Sequence, residues 1–170
     1  TPELASRHVT AWVRGLQRAG AIACPKHFPG HGDTAQDSHF ALPLVDVSPG
    51  TLAARELPPF VAAFTAGART VMTSHILLPQ LDESGPATFS SVILQDMLRG
   101  QLGFTGVIIS DALDMHGASG EIGIPEAAVR ALRAGCDLLC TGVDATAVQF
   151  EAIVDHIVSA VTDGRLSRER

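Results

Sequence analysis

Four short apolar runs, each leading straight into polar, chemistry-bearing residues, constrain this chain more than any other feature. Ala21-Ile22-Ala23-Cys24 gives way after Pro25 to Lys26-His27. Arg69-Thr70-Val71-Met72-Thr73 leads to Ser74-His75. Thr105-Gly106-Val107-Ile108-Ile109-Ser110 ends at Asp111, and Asp137-Leu138-Leu139-Cys140 ends at Thr141. Runs that are continuously apolar suit the strands of a parallel sheet covered by helices. The turns before them, such as Gly67-Ala68 and Leu102-Gly103, are bland. In a parallel α/β fold all strand C-termini lie at one end, and that end hosts ligand chemistry.

Helical signals separate the runs. A first helix opens at Pro2-Glu3, carries Leu4, Val9, Trp12, Val13 and Leu16, and closes at Gly20. A second is predicted over 51–66, with Pro58-Pro59 as a kink or a delayed start. A third starts from Thr88 or Ser90 and runs through Leu98. A fourth has Pro125 near its first turn and ends at Ala134-Gly135, and a fifth covers 144–162. The order is therefore one helix, then four β–loop–α units.

Four such units make either a small open α/β sheet or half of a (β/α)8 TIM-type barrel, which takes about 250 residues when complete. The chain opens on a helix with no strand before it and closes on Asp163-Gly164-Arg165-Leu166-Ser167 and a charged tail. Both features favour the C-terminal half of a barrel, with 1–170 as its second half inside a longer polypeptide.

Composition narrows the partners. Twelve Lys and Arg against 18 Asp and Glu give a formal charge of −6, with no basic run. Nucleic-acid binders cluster positive charge, so that class is excluded. No apolar stretch approaches the ~20 residues of a membrane span. Cys24, Cys136 and Cys140 are an odd number without framework spacing, which fits a reducing compartment. The expected location is cytoplasmic ahead of secreted.

The loop from Lys26 to His39 concentrates Lys26, His27, His31, Asp33, Asp37 and His39. One reading is a solvated loop shaped by its Gly and Pro residues. A second is a metal site using His27, His31, Asp37 and His39, although Phe28-Pro29-Gly30 keeps His27 and His31 off a shared helix face. A third is acid–base catalysis by Asp37 and His39, which flank Ser38. A carboxylate beside an imidazole fixes its tautomer and favours its protonated form. Asp111, anchored after the most apolar run, is either a capping residue, as Asp114 would be, or a carboxylate nucleophile kept ionised by Lys26.

These segments resemble a known family. Lys26-His27-Phe28-Pro29-Gly30-His31-Gly32, then Asp37-Ser38-His39 and Leu42-Pro43, are similar to the signature loop of glycoside hydrolase family 3, closest to its β-N-acetylglucosaminidase branch. Gly103 to Met115, centred on Ser110-Asp111, resembles that family's nucleophile strand. Ala134-Gly135-Cys136-Asp137 and Gly164-Arg165-Leu166-Ser167 fit its C-terminal pattern. The resemblance implies a retaining exo-glycosidase acting on terminal non-reducing β-linked N-acetylglucosamine, such as muropeptides or chitooligosaccharide ends. It implies Asp111 as nucleophile, His39 as acid/base with Asp37 as its partner, and Lys26 and His27 on sugar hydroxyls. His75 and Met115 fall where the pocket wall is expected, as packing or as contacts. No cofactor is implied.

The family also draws a sugar-binding Asp and Arg from the first half of its barrel, so this chain is expected to need that half. Two rivals stand beside the hydrolase. A neutral imidazole does not repel phosphate as a carboxylate does, so a phosphorylase of the same family is the nearer one. A metal-binding or non-catalytic half-barrel is the other.

Overall fold

The computed structural model describes residues 1–143 and 145–169. Helix α1 (Pro2–Arg18) is capped by Thr1, whose side chain accepts the Leu4 N–H. It packs on α3 (Leu57–Thr65) through a small cluster of Val13, Ala23, Ala63 and Ala68. Only part of its expected apolar stripe is used: Leu4 is 45% and Trp12 70% exposed.

The second helical stretch is built in three pieces. Ser48 caps α2 (Pro49–Thr51), a π-helical turn follows at Leu52–Glu56, and α3 completes the run. Here lies the physical answer to Pro58-Pro59. A proline inside a regular helix lacks its N–H and crowds the carbonyl four residues back. The wider turn before it opens that crowding, with the Leu57 N–H reaching back to the Leu52 carbonyl.

Strands β1 (Thr70–Met72) and β2 (Val107–Ile109) pair in parallel, with Val71 opposite Ile108. The other two runs join them loosely. The Met72 N–H donates to the Pro25 carbonyl, and the Phe28 N–H to the Met72 carbonyl. On the other side, Asp137 N–H donates to Ile108 and Ser110 N–H to Leu138. The four runs thus lie side by side in chain order, all parallel.

Two details correct the sequence reading. Ala21–Cys24 is not a buried strand: Ile22 is 61% exposed, and ladder contacts begin only at Pro25. Leu138, expected within a strand, makes a single bridge and is 53% exposed. Both runs are outermost among the described residues, with one neighbour each. Pro25 also lacks the N–H that would extend the first ladder.

The main core lies between the sheet and its helices, with Phe28, Val71, Ile76, Ile93, Leu94, Leu98, Ile108 and Leu113 almost completely buried. Ser90, not Thr88, caps the third helix by accepting the Ile93 N–H. That helix is a π-helix, Val92–Gln101, behind a 3-10 turn at Ala87–Phe89. Thr88 is buried instead. A short helix not foreseen in the sequence, α4 (His116–Ser119), follows β2. Helix α5 (Ile124–Ala134) stops at Gly135, where φ is 131° and a Cβ would overlap the Gln95 amide. Helix α6 (Ala147–Thr162) begins with a Thr146/Gln149 capping box. Residue 144, the expected start of that helix, lies outside the described residues.

The N-terminal end of the strands is closed by Arg99. Its guanidinium donates to the Phe104 and Gly106 carbonyls and to Asp137, which also accepts the Ile108 N–H. Among the described residues no helix is long and apolar enough to cross a membrane.

Candidate active site

The C-terminal ends of the parallel runs bring Lys26, His27 and Asp111 to one end of the sheet. The Asp111 carboxylate is 15% exposed. Its Oδ1 accepts the Ala112 N–H at 2.9 Å, and its Oδ2 lies 3.5 Å from His27 Nε2. One carboxylate oxygen is thus tied to the backbone and the other faces a partly exposed imidazole. Burial lowers the His27 pKa, outweighing the pull of the Asp111 charge, so the ring is neutral at neutral pH. Lys26 is exposed. The Lys26–His27 and Phe28–Pro29 peptide bonds are both cis.

Asp37 and His39 form a close pair on the exposed loop. Asp37 Oδ1 accepts the His39 backbone N–H at 2.9 Å and its Nδ1–H at 2.6 Å. Those two bonds, the backbone one first, hold the Asp37 carboxyl below its ordinary range. They also fix the tautomer, leaving His39 Nε2 free to exchange a proton outward.

The loop is pinned at Ser38, which is buried. Ser38 Oγ lies 3.2 Å from His31 Nε2, and His31 Nδ1 lies 3.1 Å from Thr34 Oγ1. The Ser38 carbonyl accepts the Gly117 N–H, and the His39 carbonyl the His116 N–H. A Cβ at Gly117 would meet the Ser38 and Ala41 carbonyl oxygens at 3.0 Å, so only glycine lets the loop seat here unshifted. His31 in turn stands edge-on to His27, with ring centroids 5.7 Å apart. A continuous path of contacts therefore runs from Asp111 through His27, His31 and Ser38 to the Asp37–His39 pair. Both His31 nitrogens face hydroxyls, and among the described residues no three His, Cys, Asp or Glu side chains group as metal ligands.

Of the two readings given for His75 and Met115, packing or substrate contact, their burial fits packing. His75 is fully buried, and Met115 is 7% exposed. Both His75 nitrogens are taken by protein groups, at Ala112 and Thr88. The sequence reading missed Thr73 and Thr88, which are fully buried and meet beneath Asp111. The available signal was the polar string Thr73-Ser74-His75 directly after an apolar strand, a costly thing to bury unless its members bond one another.

A cavity of 560 Å³ opens beside Lys26, His27 and His31, between the start of α1 and Arg55, Glu56 and Phe60. Asp111 and His39 do not line it.

The partly buried His27 and the fully buried His75 predict a pH effect on stability. Burial lowers the pKa of both His27 and His75 below the ordinary 6.5, so just under that value the unfolded chain binds more protons than the folded one. Stability is full above it, falls as pH drops through it, and levels off below the lowered values. The urea midpoint at pH 5 is expected to lie below that at pH 7; equal midpoints would contradict this.

An α/β unit with parallel runs in chain order and ionisable groups at their C-terminal ends has the layout of a barrel-type domain. Residues 1–170 match the family model described as glycosyl hydrolase family 3 N terminal domain, and the chain belongs to that family. It is 46% identical over 138 residues to a beta-hexosaminidase of Chromobacterium violaceum, covering 81% of this chain and 38% of that protein. It superposes with a TM-score of 0.93 on the glycoside hydrolase family 3 beta-N-acetylglucosaminidase of a Paenibacillus species, at 45% identity over 98% of this chain and 32% of that one. A beta-glucoside phosphorylase superposes with a TM-score of 0.90 at 26% identity, over 99% of this chain and 31% of that one. The fold is that of a TIM-barrel-type domain. The chain spans less than half the length of each of these three relatives.

Proposed function

We propose that this chain carries the catalytic groups of a retaining exo-β-N-acetylglucosaminidase. The observation that supports this most is the pairing of a strand-end carboxylate, Asp111, with a loop His39–Asp37 pair docked on the segment that follows it. In the first step an Asp111 oxygen bonds to the anomeric carbon, the glycosidic C–O bond breaks, and His39, as an imidazolium whose Nδ1–H is held by Asp37, delivers its Nε2 proton to the departing oxygen and is left neutral. In the second, water attacks the same carbon, His39 takes its proton, and the Asp111 carboxylate is released. Two inversions give net retention. Asp37 holds the imidazole in the tautomer that leaves Nε2 reactive. His27, neutral and partly exposed beside Asp111, and Lys26 next to it hold sugar hydroxyls. The substrate class is terminal β-linked N-acetylglucosamine of muropeptides or chitooligosaccharides. The remaining length of a longer polypeptide supplies the other half of the barrel and closes the sugar site, with residues 1–170 as the second half; exposed Ile22 and Leu138 on the outer runs are consistent with that.

Phosphorolysis is the second reading, favoured by an acid/base that carries no negative charge at its reacting atom. The test is product analysis with an N-acetyl-β-glucosaminide in the presence and absence of inorganic phosphate, in the protein carrying this chain. Free β-N-acetylglucosamine is expected as the first product in both. Sugar 1-phosphate as the main product would overturn the hydrolase.

A further inference from the structure

We propose that His75, with Thr73 and Thr88, is a positioning residue for the Asp111 nucleophile, acting through the Ala112 backbone. The inference rests on the nucleophile role given above to Asp111, and it concerns a residue that no substrate reaches.

Thr73, Ser74, His75 and Thr88 are fully buried, yet each is hydrogen-bonded. The direction of each bond follows from the chemistry. A carbonyl oxygen only accepts, so His75 Nε2 donates to Ala112 O, 3.0 Å away. Burial lowers the His75 pKa, which makes the ring neutral and its Nδ1 an acceptor. Thr88 Oγ1 lies 2.9 Å from both Nδ1 and the Ser74 carbonyl; that carbonyl already accepts the Thr88 backbone N–H, so the hydroxyl hydrogen is assigned to Nδ1. Thr73 Oγ1, 2.8 Å away, then donates to Thr88. Its own lone pair faces the Asp111 N–H at 3.4 Å.

The result is a loop of contacts that leaves the Asp111 N–H, passes through Thr73, Thr88 and His75, and returns at the Ala112 carbonyl. It encloses the residue pair whose Ala112 N–H donates to Asp111 Oδ1. Holding Ala112 by its carbonyl sets the direction of its N–H. That N–H occupies one carboxylate oxygen and leaves Oδ2 turned toward the open side, beside His27. The network thereby decides which oxygen attacks and from where. Loss of the Nε2 donor would let Ala112 turn and the carboxylate rotate. Misplacing a reacting group by about 1 Å costs on the order of a hundredfold in rate.

The experiment uses the complete protein and a 5-fluoro N-acetylglucosaminyl donor that traps the glycosyl–enzyme. The readouts are the trapping rate constant, the donor's binding constant and the melting temperature. In His75→Asn the side-chain nitrogen overlays Nδ1 and falls short of Ala112, whereas in His75→Gln it overlays Nε2 and keeps that bond. The expected result is trapping slowed at least about tenfold in the Asn variant and largely restored in the Gln variant, with donor binding unchanged in both. If the Asn variant does not fold, Thr88→Val carries the test, with trapping several-fold slower because Nδ1 loses its donor. Wild-type trapping rates in folded Asn or Val variants would overturn the proposal. So would equal losses in Asn and Gln that track melting temperature and binding. Wild-type protein that traps the sugar away from Asp111 would overturn the underlying nucleophile role instead, and with it the need for positioning.

Discussion

Asp111→Asn in the protein that carries this chain is expected to remove turnover of every substrate, including aryl glycosides with very good leaving groups, by on the order of 10⁵-fold or more. The exchange is isosteric. The Asn carbonyl oxygen still accepts the Ala112 N–H that now holds Oδ1, so folding and binding are preserved. What is lost is the second oxygen as an anion. A neutral amide facing His27 neither attacks the anomeric carbon nor stabilises positive charge on the ring. A good leaving group cannot compensate, because the missing bond is the one being formed. Steady-state rates with an activated aryl substrate, alongside an unchanged melting temperature, are the measurement. Near-normal turnover would remove Asp111 from the nucleophile role.

His39→Ala is expected to divide substrates by leaving group. Proton donation matters only where the departing oxygen is basic, so alkyl and sugar aglycones should lose about 10²–10⁴-fold. Activated aryl glycosides should lose far less in the first step. Their second step then becomes limiting, because no imidazole takes the proton from water, and the glycosyl–enzyme accumulates as a burst. The Asp37–His39 pair is well exposed and the alanine removes no buried contact, since the loop is anchored through Ser38 and the backbone. Equal losses on both substrate classes would argue that His39 only shapes the loop.

How far the sequence alone carries depends on which force places each residue. The runs around Val71 and Ile108 were legible because continuous apolar stretches bounded by glycine have few alternatives in a parallel sheet. Asp37 and His39 were legible as a pair because two-residue spacing in a loop permits the bond that is seen. His75 was not. Its type suggests a site, but its position one residue past Ser74 turns it under Asp111, and no periodicity records which way a strand end turns. Thr88 reads as a helix cap because Thr and Ser cap equally by local pattern; only tertiary contact with Thr73 and His75 draws it into the core. The π-helical turn at Leu52–Glu56 was hidden for a similar reason, since Pro58 signals trouble without saying how the backbone relieves it. Ala21–Cys24 was misjudged because hydropathy does not distinguish an inner strand from an outermost one.

The central claim is that one carboxylate, at the end of β2, takes the sugar. Treating the intact protein with the 5-fluoro N-acetylglucosaminyl donor, then digesting it and mapping the labelled peptide, tests this directly. The account predicts a single modified peptide spanning Val107–Met115 with the sugar on Asp111. A label on another residue, or rapid turnover with no covalent adduct at any time, would contradict it.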